Sequence, residues 1–536
     1  MKRFALLGLL ALAPSLTLAG EPARVNSYTQ PHVLRYAEGE DIQGLNPVLN
    51  QQAPVNRLSQ LTMAYLFRWD RENKPEPELA TVVPTLANGG IKDGGRTLTF
   101  HIRRNVKWSD GAPFDADDVV FSIDVMNNPA NNIVSRTGFD QIAKIDEPDK
   151  YTVVVHMKKA FSPFVPVFDT AGGGPSLLPK HILGSLPNIN EAPYNNLPVG
   201  IGPFRYTAWK RGDAVELEAN PYYWRGLPKL KKIVFKIVPD RNTVLTQLQT
   251  GELDLWYPAG GAFLPRLQAL SNVAIIRQPG YLYNHIDFNL TRPALRDVAV
   301  RRALRMAIDR TLIRDKVGHG VGILQESIVP APYPGVAKIP FVPFDIAKAN
   351  ALLDGAGWKR GADGVRAKGG VRLALEFASS SGTPDVDTQI EIIRSSWQQI
   401  GVEMTVKRYP ASLIFAPLES GGVLYGGKFD AIAYAWGVSP VDDLITGFGC
   451  DDAPPKGQNV MHYCNHALDA IMTDFESEFD KDRQNADLSK AARIIADDVP
   501  TIVTTSREDI YAFNKDLKNF HPNNSTRFDD MMDVDI

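Results

Sequence analysis

A strand period that gives way, after a short turn, to a helix period recurs along this chain, and that alternation restricts it to α/β architectures. From Arg96 to Arg103, Leu98, Phe100 and Ile102 alternate with polar residues, as in a half-buried strand. Trp108-Ser109-Asp110-Gly111 then supplies turn residues. Asp115 is placed to cap a helix with Asp118 in its first turn and Val119, Val120, Ile123 and Met126 on its apolar face. The grammar returns where Asn242 caps a short helix carrying Val244, Leu245 and Leu248, Gly251 ends it, and Leu253 and Leu255 begin a strand. Val300, Leu304, Ile308 and Leu312 recur every fourth residue, which predicts one long amphipathic helix between Asp297 and Val317. A further helix is predicted from Thr388 through Ile392, Ile393 and Trp397 to Gly401, continuing into a strand with Val402, Met404 and Val406. Because the alternation lies on both sides of residue 280, two α/β lobes are expected.

Length agrees, since 536 residues exceed the roughly 250 to 300 at which one hydrophobic core stops growing. A net charge of -3 gives no sign of a nucleic-acid partner. Lys2 and Arg3, the apolar run Phe4 to Leu12, and small residues Thr17 and Ala19 read as an export signal removed after residue 19. Gly20, Glu21 and Pro22 then stand where a lipid-anchored protein would carry a cysteine, so a periplasmic protein that is not lipid-anchored is expected.

Exported proteins meet an oxidising compartment, and one disulfide is the simplest use for the only two cysteines, Cys450 and Cys464. A competing use is metal binding, with His462, Cys464 and His466 two apart beside Met461, so that all three share a strand face. Neither the Gly-x-Ser-x-Gly elbow nor the His-Glu-x-x-His helix of secreted hydrolases occurs, which leaves hydrolysis a remote alternative. No cofactor is expected.

Several ordered segments resemble one family. Arg96 to Ser122, Gly200-Ile201-Gly202-Pro203-Phe204, Glu218 to Trp224, Gly251-Glu252-Leu253-Asp254, Val300 to Leu304 with Ala307 to Arg310, and Ala349 to Trp358 look like the family 5 extracellular solute-binding proteins of peptide, dipeptide and nickel importers. The resemblance implies an α/β, two-lobed periplasmic binding protein fold of the large, peptide-binding type, with an extra subdomain in the first lobe. The expected division is a signal peptide at 1–19, first lobe at 20–66, 197–279 and 501–536, extra subdomain at 67–196 and second lobe at 280–500. It also implies a monomer that delivers a peptide or peptide-like ligand to ABC permease subunits and their ATPase; a glycoside, an opine-like molecule or a metal chelate are alternative ligands. Most of the matching motifs read as structural, including the turns at Asp110-Gly111 and Asn220-Pro221 and the packing residues Trp108 and Trp224.

Within the family the strand end in Phe429 to Asp443 lies in the cleft, and Trp436 takes the place of a tryptophan that packs on ligand, with core packing as its alternative. In dipeptide-binding relatives an aspartate after that tryptophan receives the ligand ammonium and an arginine receives its carboxylate. Ser439 stands at the first position and Ser380, with Ser381 beside it, near the second, while Asp442 or Asp443 could restore the ammonium site. Serine supplies hydrogen bonds without counter-charge, so a longer or modified peptide is expected over a plain dipeptide. Asp41 and Asn46 border the cleft by the same resemblance, and Tyr281 and Tyr283 stand at the apparent crossover into the second lobe. The family's bridged loop also supports a Cys450–Cys464 disulfide.

Overall fold

The computed structural model describes residues 25–536 except 134, 135, 137, 170–175, 331, 332, 334, 382, 383, 417, 438–443, 525–527 and 529. Ten strands build one large sheet: β1 (Val33–Glu38), β2 (Phe204–Lys210), β3 (Ala214–Ala219), β4 (Lys232–Ile237), β5 (Leu255–Trp256), β6 (Val273–Phe288), β7 (Ala374–Ser380), β8 (Glu403–Tyr409), β9 (Ala431–Gly437) and β10 (Thr501–Asn514). Their spatial order is β8-β7-β9-β6-β10-β5-β1-β4-β3-β2. The two long strands β6 and β10 pair antiparallel through the middle, Val273 with Asn514 at one end and Asp287 with Thr501 at the other. Their ladder shifts register between Pro279 and Tyr283, so these two strands carry the chain from one half of the sheet to the other. Apolar clusters cover both faces of each half. Leu34, Phe204, Phe235, Tyr511 and Phe528 share one core, whereas Ile286, Leu304, Phe377 and Trp397 share another. This is a mixed α/β, two-lobed fold.

A separate core, with Phe67, Phe100, Trp108, Val119 and Val155, belongs to a four-stranded sheet and the helix Ala116–Asn127. Asp115 caps that helix in a reciprocal box with Asp118, as its spacing predicts. Trp108 is buried and donates its indole N–H to Asp118 at 3.1 Å, which makes it a packing residue. Gly200 and Gly202 close this unit onto the end of the helix Ala53–Thr62. A Cβ on Gly202 would lie 2.5 Å from the Thr62 carbonyl carbon, so only glycine lets the two backbones approach this closely.

Two sequence expectations change. The helix Arg241–Thr250 is capped by Asp240, whose carboxylate accepts from the Thr243 N–H at 2.7 Å, not by Asn242. The helix expected to run unbroken to Val317 is interrupted after Met306, and Asp309 caps a second helical segment that starts at Arg310–Leu312 and continues as a wider π turn through Val317. Leu312 is 38% exposed, off the apolar face.

Cys450 and Cys464 are bonded. The bridge consumes the thiolate that a metal at Cys464 would require. Among the described residues, the one cluster with metal-ligand spacing is Cys450, Cys464 and His466, which is the bridge itself beside an exposed imidazole. Mass analysis after alkylation without reductant is expected to find no labelled thiol, and the double serine variant to lose on the order of 3 kcal/mol of loop-closure entropy. Two labelled cysteines would remove the bridge. No helix among the described residues is long and apolar enough to cross a membrane.

Candidate ligand cleft

Parallel strands in both halves of the sheet end toward the same region. β1 runs parallel to β4, and these strands end at Glu38 and Ile237; β7 runs parallel to β9, and they end at Ser380 and Gly437. Loops at the carboxyl ends of parallel strands are where open α/β sheets form ligand crevices. A cavity of about 540 Å³ lies there, with Glu38, Arg57, Val238, Trp256, Leu282 and Arg507 among its lining residues. A second cavity of about 230 Å³ includes Asn284, Asp385, Thr505 and Ser506 in its wall. Arg241 and Arg507 line both.

The floor of the larger cavity is an ion pair. Arg57 donates through Nε to Glu38 Oε2 at 3.0 Å, and the other Glu38 oxygen accepts the Gly39 and Glu40 N–H groups at 2.9 and 3.2 Å. Both residues are buried, so each charge depends on the other. Burial works against the Arg57 charge, yet Tyr36 and Glu38 beside it hold its pKa above the ordinary guanidinium value.

Trp436 is half-buried near the end of β9, with its ring edge-on to Tyr434 at 6.1 Å. It stands opposite Tyr283, and Gly437 stands opposite the cavity-lining Leu282, which brings this strand end to the cavity wall. Behind it, Tyr434 donates to Asp287 at 2.5 Å, Asp287 lies 2.8 Å from the His285 ring, and burial pushes the Tyr434 hydroxyl pKa well up. Trp436 is therefore carried by an anchored strand.

Ser380 and Ser381 lie at the end of β7, where the Ser381 N–H donates to the Tyr409 carbonyl at 2.9 Å. Extending the register of Ala378 with Ile432 puts Ser381 level with Ala435, one residue from Trp436. Ser439, Asp442 and Asp443 fall outside the described residues. Asp41 is exposed and accepts from its neighbour, the Ile42 N–H, at 2.8 Å; it does not line the cavity, although Glu40 does. Asn46 is 1% exposed and its amide ties Asn195 to the Val48 N–H, a structural use. Tyr281 and Tyr283 are buried in a second-half core, and burial raises the Tyr281 pKa. The cavity-lining residues that sequence reading passed over include Glu38, Arg57, Arg241, Trp256, Leu282 and Arg507. For Arg507 a signal existed: it lies in the polar run Thr504 to Asp509, between the apolar stretches Ile502-Val503 and Ile510 to Phe513 of one strand.

Residues 76–448 match the family described as bacterial extracellular solute-binding proteins, family 5. The oligopeptide-binding protein AppA of Bacillus subtilis is 26% identical over 450 residues, 83% of this chain and 80% of AppA. Its structure with a nonapeptide superposes with a TM-score of 0.76 at 23% identity, covering 94% of this chain and 98% of that one. NikZ of Campylobacter jejuni, solved with Ni(L-His), gives 0.74 at 25% identity over 92% and 96% of the two chains.

Proposed function

The chain belongs to the bacterial extracellular solute-binding proteins of family 5, and on that premise we propose that it captures a peptide or peptide-like ligand between its lobes and hands it to an ABC permease. The observation that carries this reading is the cavity at the carboxyl ends of parallel strands from both halves of the sheet, which the two long strands β6 and β10 join. Two strands form a hinge, and rotation about them closes the cleft, as in periplasmic binding proteins generally. A ligand held there is desolvated, so each hydrogen bond or charge contact counts for more than one at the surface. The protein acts in this reading as an exported, unanchored monomer, binding and releasing its ligand unchanged.

The lobes divide as 20–66, 197–279 and 501–536 against 280–500, with 67–196 as the extra subdomain. Trp436 offers a flat apolar surface and one N–H donor, suited to ligands of varied sequence. Ser380, Ser381 and Ser439 add neutral hydrogen bonds, and Asp442 or Asp443 the charge for an ammonium. AppA is an oligopeptide binder by name, which supports a ligand longer than two residues.

Mass spectrometry of small molecules released from the denatured protein identifies the class. That ligand, or tetraalanine as a probe, is expected to compact the protein in small-angle scattering and to stabilise it by about 2.7 kcal/mol at 100 times its dissociation constant. Saturating ligand with an unchanged scattering curve would refute closure. Dialanine is expected to bind more weakly than tetraalanine; the reverse order would refute the preference for length.

A further inference from the structure

Building on the peptide reading above, we propose that the ligand carboxylate is received by Arg241 and Arg507, between the two cavities, and not at the strand end bearing Ser380 and Ser381. Arg241 begins the helix after β4, and Arg507 lies on β10. They are the two residues common to the walls of both cavities, so a chain passing from one to the other passes between them.

The remaining charges nearby are mostly committed. Glu38 and Arg57 satisfy each other, Glu508 grips Arg277 in a two-point pair at 2.8 Å, and Arg314 lies 2.7 Å from Asp315. Glu40 accepts from the Gln52 amide at 3.0 Å, and Asp385 sits in the first turn of the helix Pro384–Gln399, on the second cavity. Among the described residues Arg241, which is exposed, pairs with no carboxylate. Arg507 lies with Nε 2.9 Å from Oδ1 of buried Asp509, and among the described residues no hydrogen bond from its two terminal nitrogens is found. Two guanidinium groups with free donors on the shared wall of adjoining cavities match a carboxylate, which accepts from arginine through both oxygens. This supplies from the first lobe and the return strand the counter-charge that serine at position 380 does not.

Calorimetry with tetraalanine and its C-terminal amide tests the assignment on wild type, Arg241→Gln and Arg507→Gln. Charge-assisted hydrogen bonds predict that the acid binds roughly 10- to 100-fold tighter than the amide in wild type, with most of that preference lost in either variant. Arg241 is exposed and carries the test should Arg507→Gln unfold around Asp509. Thermal stabilisation by succinate gives a readout that needs no peptide, and it is expected in wild type and absent from Arg241→Gln. Equal affinity for acid and amide, unchanged in Arg241→Gln, would overturn the carboxylate site while the peptide reading stands. Stabilisation by succinate, lost in Arg241→Gln, with no binding of either peptide, would keep the site and overturn the peptide. No response to any of the three probes would overturn both.

Discussion

Glu326→Gln is expected to destabilise the second half of the molecule by about 3–5 kcal/mol, because one carboxylate there serves two buried arginines. Glu326 lies 3.0 Å from Arg305 and 2.8 Å from Arg310, and the Arg310 side chain is wholly enclosed. Arg310 also donates to the Val503 carbonyl at 3.0 Å and lies over the Phe341 ring at 4.2 Å, so it joins the loop after Glu326 to β10. Neutralising the carboxylate keeps the shape and removes the charge that both cations share, leaving them only backbone carbonyls in a poor solvent for charge. Asp117→Asn, which breaks the half-exposed Lys180–Asp117 pair at 2.8 Å, is expected to cost only about 0–1 kcal/mol. Urea unfolding of the two variants side by side decides the matter, and equal losses would refute the distinction drawn from burial.

Period and capping chemistry made the local units legible. Asp115 announces its helix because a carboxylate at that point satisfies orphan N–H groups whatever lies around it. The failed long helix shows the limit of the same reasoning. A recurrence of four advances ~40° beyond a full turn at each step, since a helix needs only ~3.6 residues per turn. By Leu312 the stripe has left the core, and Asp309 offers a competing cap that starts a new turn. The strand ending at Trp436 was readable because its pattern is local. The convergence of the cleft's charged lining was not, because Arg57, Arg241 and Arg507 come from three distant segments and meet only once β1, β4 and β10 have joined one sheet. Asn46 failed as a cleft residue for the opposite reason: an Asn in a turn is equally suited to holding backbone, and its contact is Asn195.

Glu38→Gln is expected to change both stability and ligand preference, since it breaks a buried pair that is also the floor of the cavity. The loss is again expected at about 3–5 kcal/mol, now in the first lobe, because Arg57 would keep its charge among Tyr36 and Tyr257 without a carboxylate. Stability and binding should then separate. The N–H groups of Gly39 and Glu40 keep a neutral acceptor, so the loop after β1 holds its course, while the cavity gains one uncompensated cation. Tetraalanine should therefore gain over its amide relative to wild type, the direction opposite to Arg241→Gln. Combining Glu38→Gln with Arg57→Met removes the orphaned charge and is expected to recover most of the lost stability, an interaction that a double-mutant cycle measures directly. A double variant no more stable than Glu38→Gln alone would show that the loss comes from the reshaped loop, and that the pair does not act through its charge.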